Sequence, residues 1–203
     1  MKPLRVLISS LSLLLISAFT TQAQTVECGL QQMAIDAALG DERSQYNLGV
    51  EFFSGRQLPR DYGKAANLWR KAADAGSVPA SNNLGFLKYF GRPGVERNYE
   101  EGLRLWRFAA ERGFPEAQVH LGQAYSDGRF LKSDFIEAYA WAKAGKHYSA
   151  RASDWLDDAD EVGQGIAKDA DVVLAKSAKA LTDAQLAEAE KKAADYISRF
   201  APR

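Results

Sequence analysis

The chain has 203 residues, with 26 Lys and Arg balanced by 26 Asp and Glu, a single Cys, and 46% hydrophobic residues. Zero net charge removes the global electrostatic drive toward nucleic acid, whose affinity comes from phosphate neutralisation. One Cys excludes an intramolecular disulfide framework and any multi-cysteine zinc or iron–sulfur site, and the hydrophobic content excludes disorder in favour of a packed core.

Residues 1–23 read as a secretory signal peptide. Lys2 and Arg5 give a basic start, Val6 to Phe19 is apolar apart from serines, and Thr21 and Ala23 place small residues at −3 and −1 of a cleavage site after Ala23. The apolar stretch is shorter than the roughly 20 residues that cross a bilayer as a helix, which disfavours an uncleaved anchor. Thr25-Val26-Glu27 before Cys28 is not the small-apolar sequence of a lipidated cysteine. The expectation is a periplasmic or secreted protein, slightly acidic once cleaved, with no membrane span after cleavage. Leu30 to Leu39 resembles half of the repeat described next, so 24–39 is assigned as an N-terminal capping helix.

From residue 40 the sequence repeats. Gly40, Gly76 and Gly113 lie 36 and 37 residues apart; so do Gly49, Gly85 and Gly122, each preceded by Leu, and Gly55, Gly91 and Gly128. Such a period marks a solenoid, in which each unit leaves an apolar face that only its neighbour covers. Three units are assigned, about 40–76, 77–113 and 114–147. Tyr46, Leu48, Phe52 and Phe53 fall at helical spacing and define the first helix of a unit, as Leu84, Phe86, Leu87 and Tyr89, then Leu121 and Tyr125, do in the others. The second helix starts after Asp61, Asn98 or Asp134, all residues that cap orphan amides, and ends where Gly76 supplies a left-handed residue. Pro59 and Pro93 fall between helices, and Pro79 and Pro115 at helix starts, where a missing amide costs nothing. A glycine inside a helix costs roughly 1 kcal/mol against Ala; close approach of the two helices at Gly49, Gly85 and Gly122 is expected to offset it.

These residues carry a family resemblance. Asn47-Leu48-Gly49-Val50-Glu51-Phe52, Gly55, and Asp61 through Ala65-Ala66, Leu68-Trp69 and Ala72-Ala73 to Gly76 resemble the Sel1-like repeat, a relative of the tetratricopeptide repeat. The second unit is similar from Asn83-Leu84-Gly85 through Trp106 to Gly113, with Lys88 in place of an aromatic residue and Gly102 in place of Ala. The third matches at Leu121-Gly122, Tyr125, Gly128, Asp134 and Ala138-Tyr139-Ala140-Trp141. There the tryptophan comes seven residues after the cap, whereas Trp69 and Trp106 come eight after theirs. The resemblance covers about 37–147 and implies a right-handed all-α solenoid that scaffolds other proteins, often in the bacterial periplasm. It implies no reaction. A cysteine-rich branch of the family includes members associated with penicillin binding; the paired cysteines of that branch are missing here.

Residues 148–203 are assigned as a C-terminal helical cap, with helical stretches over Ala150–Val162 and Ala167–Ala180 separated by Gly163-Gln164-Gly165. Thr182-Asp183-Ala184-Gln185 has the capping-box spacing, and Leu186, Ala189, Ala193, Ile197 and Phe200 then form one apolar stripe suited to closing the solenoid.

Chemical signals are sparse. His120 holds the slot of Asn47 and Asn83 and reads as a repeat variant; His147 ends the third unit, where it suits a helix C-terminus. There is no His-Glu-x-x-His, phosphate-cradling glycine loop or nucleophile elbow. Asp154, Asp157, Asp158, Asp160 and Glu161 form an acidic cluster whose spacing fits a solvated helix face better than a calcium loop. Cys28 is an odd thiol, either free or paired between chains. No catalytic residue, metal or cofactor is assigned, and the oligomeric state is open.

The groove is the better candidate. A helical wheel places Arg43, Val50, Glu51 and Ser54 beside Asn47 on the first helix. The equivalent positions are Asn83, Phe86, Leu87 and Phe90, then His120, Gln123 and Asp127. We assign Asn47, Glu51, Asn83, Phe86, Leu87, Phe90, His120 and Gln123 to a concave groove for a protein or peptide partner, with Phe86, Leu87 and Phe90 as its apolar anchor. Packing of those aromatics between helices is the competing reading. The expected function is a non-catalytic interaction scaffold or regulatory adaptor. The alternatives are a cell-envelope hydrolase, penicillin-binding or peptidoglycan-related, and a secreted host-interaction binder. A hydrolase would need His120 or His147 within reach of a Ser, Asp or Glu in a cleft.

Overall fold

The structure is a computed structural model that describes residues 28–154 and 159–201. Residues 1–27, which include the expected signal peptide, its expected cleavage site and the start of the expected N-terminal cap, lie outside the described residues. The helices are α1 (28–38), α2 (Glu42–Ser54), α3 (Tyr62–Asp74), α4 (Val78–Phe90), α5 (Tyr99–Ala110), α6 (Pro115–Asp127), α7 (Phe135–Tyr148), α8 (Ala159–Ala180) and α9 (Asp183–Arg199), with a 3-10 turn at Ser149–Asp154. No β-strand occurs among the described residues. α2/α3, α4/α5 and α6/α7 are the closest-packed pairs, and α3 against α4 and α5 against α6 join one pair to the next. The molecule is a right-handed all-α solenoid.

Local chemistry sets each helix boundary. The side chains of Asp61 and Asn98 each accept from a first-turn amide at 2.9 Å, and Asp134 accepts two such bonds at 3.0 Å. α1, α3 and α5 end in the same way: the amides of Asp41, Ser77 and Phe114 reach back to Asp36, Ala72 and Ala109, closing over Gly40, Gly76 and Gly113 at φ +98°, +104° and +80°. This six-residue closure needs a left-handed residue, for which glycine has no Cβ penalty. α1 thus shares its mode of termination with the second helices of the first two pairs.

The mid-helix glycines answer to tryptophan. A Cβ on Gly49 would lie 2.5 Å from the indole nitrogen of Trp69, and one on Gly85 2.7 Å from Cδ1 of Trp106. Each indole thus packs its pyrrole edge against the first helix of its pair and donates its N–H to a backbone carbonyl there, Tyr46 at 3.1 Å and Asn82 at 3.2 Å. Gly102, the departure from Ala noted above, permits a second close approach: its Cβ would meet Tyr89 at 2.9 Å and the Gly85 carbonyl at 3.0 Å. Lys88, the other departure, pairs with Glu101 at 3.3 Å, and Glu101 also takes Arg70 of the preceding pair. Burial of the Glu101 carboxyl opposes its ionisation, but these two cations outweigh it and hold the group below its ordinary range.

The third pair is built differently. Ala142 stands in the slot of Trp69 and Trp106, so α6 and α7 pack backbone to backbone, with a Cβ on Gly122 only 2.9 Å from the Ala138 carbonyl. Trp141 turns instead toward α9, meeting Tyr196 at 4.3 Å and stacking on Phe200 at 5.5 Å. The capping box of Thr182 and Gln185 is present, and Ala189 and Ala193 are fully buried. Polar ties add to this seam: Glu137 takes Lys192 and the Tyr196 hydroxyl, while Glu190 takes Lys143 and the Tyr139 hydroxyl.

One expectation is corrected. The two stretches split at Gly163-Gln164-Gly165 are instead a 3-10 turn at Ser149–Asp154 and one uninterrupted α8 from Ala159 to Ala180. Ile166, Ala170, Val173 and Ser177 form a single buried stripe on it, reaching Val119 of α6 and Ala138 and Ala142 of α7. Burying that stripe outweighs the roughly 1 kcal/mol per glycine that local propensity sets against it. Asp157 and Asp158 of the acidic cluster lie outside the described residues, as do the side chains of Asp154, Asp160 and Glu161.

Candidate functional site

Because each pair presents its first helix on the same side, α2, α4 and α6 together line one open groove of about 1110 Å³. α2 contributes Tyr46, Asn47, Val50, Glu51 and Phe53; α4 contributes Asn82, Asn83 and Phe86. α6 contributes Glu116 and His120, with Met33 of α1 and Val162 of α8 also on the lining.

A row of rings crosses the three pairs. Phe53 meets Phe86 at 6.2 Å, Phe86 meets His120 at 6.0 Å, and His120 stacks on Trp106 at 4.7 Å and 29°. Arg92, on the loop after α4, lies over Phe86 at 5.2 Å.

Beside this row is a polar cluster centred on Asn82, which is 1% exposed. Its amide nitrogen donates to Glu116 Oε2 at 2.8 Å, which turns its oxygen toward His120 Nδ1 at 3.1 Å. The imidazole therefore carries its proton on Nδ1 and leaves Nε2 as an acceptor. Burial pushes His120 down to about 4. Burial likewise pushes the Glu116 carboxyl up, the Asn82 hydrogen bond offsets part of this, and Asp169 nearby raises it further.

The lowered His120 gives a pH prediction. A base that resists protonation in the folded state loses stability as pH falls from its ordinary 6.5 toward about 4, because the unfolded chain takes the proton first. Glu116, held above its ordinary value, acts in the opposite direction. The native protein should therefore lose urea midpoint relative to His120→Gln as pH falls across that window. A histidine Cε1 proton assigned to His120 that titrates near 6.5 would contradict the burial argument.

Of the residues assigned to the groove, Asn47, Glu51, Asn83, Phe86 and His120 line it. Three do not, and the assignment is corrected. Leu87 is fully buried with Ala65, Trp69, Leu84 and Leu105, because it faces the second helices rather than the open side. Phe90 packs on Phe86 at 4.8 Å, Tyr89 at 5.1 Å and Trp106 at 6.2 Å, half-buried among the rings of the middle pair. Gln123 is half-buried away from the lining. The apolar part of the groove comes instead from Phe86 with Phe53 and Val50. Asn82 and Glu116 were missed. The available signal was that Asn82 holds the position of Tyr46 and Val119 in the other units, an amide where they are apolar.

His120 bonds to an amide rather than to a Ser, Asp or Glu, and His147 is exposed at the end of α7 beside Tyr148. Among the described residues no cluster of three or more His, Cys, Asp and Glu side chains could hold a metal ion, and no helix is long and apolar enough to cross a membrane. Cys28 is a free, exposed thiol.

A family model described as Sel1 repeat matches residues 43–77, 78–114 and 115–145. No curated protein matches. Among solved structures, a protective antigen present in uropathogenic Escherichia coli strains, described as displaying an SLR fold, is similar at 28% identity and a TM-score of 0.68, over 87% of this chain and 34% of that one. This chain thus spans about a third of the antigen's length. A Sel1 repeat protein from Oxalobacter formigenes is similar at 28% identity and a TM-score of 0.51, over 63% of this chain and 98% of that one.

Proposed function

Since the chain belongs to the Sel1 repeat family, whose members generally mediate protein–protein interaction, we propose that it is a non-catalytic scaffold or regulatory adaptor that holds a protein or peptide partner against α2, α4 and α6. The observation that carries this reading is the groove itself: one surface assembled from all three units, with rings along it and the carboxamides of Asn47 and Asn83 at equivalent positions. Apolar surface open to solvent beside periodic hydrogen-bonding groups suits an extended segment, whose side chains bury and whose backbone is matched. The fold is typically a non-catalytic interaction scaffold. The basic, apolar and small residues of 1–23, together with similarity to an antigen, support action in the periplasm or outside the cell.

Affinity capture from an envelope extract tests the reading. The double variant Asn47→Tyr/Asn83→Tyr fills the groove with neutral bulk while leaving the core untouched. It should reduce capture of the partner at least tenfold, with circular dichroism unchanged. Equal capture by this variant would move binding to another face. Fractionation of periplasm from medium tests the placement.

A further inference from the structure

The groove sorts its charges by depth. Its arginines are at the rim, with Arg43 exposed and the Arg56 side chain 64% exposed, whereas the Glu51 side chain is 13% exposed and Glu116 is half-buried. Neither of these carboxylates is well matched by a cation. Glu51 Oε1 lies 4.0 Å from Arg56, and its Oε2 is buried with no hydrogen-bond partner. Glu116 is held by the neutral amide of Asn82, and the charge that acts on it is another carboxylate, Asp169. The buried Glu51 oxygen has already lost its water, so a cation that reaches it gains strong attraction with little further desolvation cost on the protein's side. Phe53 of α2 and Phe86 of α4 lie in the row that runs from the helix of Glu51 toward the helix of Glu116, where aromatic rings pack against methylenes; Phe86 already carries Arg92 over its ring.

Resting on the groove reading above, we infer that the partner segment is basic: Lys or Arg side chains of an extended peptide seat against Glu51 and Glu116, their stems along Phe53 and Phe86. An acidic segment would meet these carboxylates unpaired and find cations only at the exposed rim. The groove therefore selects by charge as well as by fit.

The test uses three fluorescein-labelled octapeptides, Gly-Leu-Ala-Xaa-Phe-Ala-Xaa-Gly, with Xaa as Lys, norleucine or Glu, titrated by fluorescence anisotropy. The proteins are the native chain, Glu51→Gln/Glu116→Gln and Asn47→Tyr/Asn83→Tyr. The native protein should bind the Lys peptide about tenfold tighter than the norleucine peptide, about 1.4 kcal/mol, and the Glu peptide most weakly. The Gln variant should lose the preference for the Lys peptide over the norleucine peptide, with circular dichroism unchanged. Equal binding of Lys and norleucine peptides, abolished by the Tyr variant, would overturn the basic preference and keep the groove. A preference for the Glu peptide, or a Lys preference that survives the Gln variant, would also overturn it. Binding that the Tyr variant leaves intact, or no binding of any peptide, would overturn the inference, and the envelope capture would then decide the groove separately.

Discussion

Trp106→Ala lowers the stability of the protein by about 3–5 kcal/mol, the range for removing a fully buried Trp, as read from urea unfolding followed by circular dichroism. Trp106 is 1% exposed, its indole N–H bonds the Asn82 carbonyl, and its ring contacts Tyr89, Phe90 and His120. It therefore joins the two helices of the middle unit and the first helix of the next. Removing it opens a cavity, orphans the Asn82 carbonyl and takes away the surface on which His120 stacks. Gly85→Val gives an independent check, because its side chain must enter space the indole occupies 2.7 Å away; a comparable loss is expected. A loss below about 1 kcal/mol in either variant would mean that the middle unit is not held through this contact.

Trp141→Ala has a similar cost and a different reach. Trp141 is 5% exposed, and its ring is committed to Tyr196 and Phe200 of α9. The ion pairs on that seam are partly exposed, and such pairs are worth about 0–1 kcal/mol each. The stacked rings hold the cap. Burial and the Glu137 carboxylate together push the Tyr196 hydroxyl upward, so it stays a donor to Glu137. Each unit of a solenoid contacts only its neighbours, so the damage should stay local. Amide hydrogen exchange should show protection collapsing across Asp183–Arg199 while Tyr62–Asp74 of the first pair keeps its own. Uniform loss along the chain would instead show one cooperative unit, with the cap part of its nucleus.

The contrast between the two tryptophans shows where reading the sequence succeeded and where it stopped. The shift of Trp141 by one position relative to its cap was visible as a departure, but its cause was not, because the partners Tyr196 and Phe200 are more than fifty residues away. Asn82 was passed over for the same reason. Its role depends on Glu116 and His120, which belong to the next unit.

The repeated sequence alone determined the helices, their caps and their order. An aspartate or asparagine before an apolar stripe and a glycine where the chain must turn left-handed act over a few residues and recur in all three units, while a glycine opposite an indole acts within one unit and recurs in the first two. Which face each aromatic takes was decided only by the tertiary structure. Phe86, Leu87 and Phe90 are apolar neighbours on one helix, within about a turn of each other. Leu87 is core, Phe90 packs among the rings of its own pair and Phe86 alone lines the groove, because α3 and α5 cover one side of α4 and leave the other open. The neighbouring helices make that choice, and a propensity or a period within α4 carries no information about where they lie.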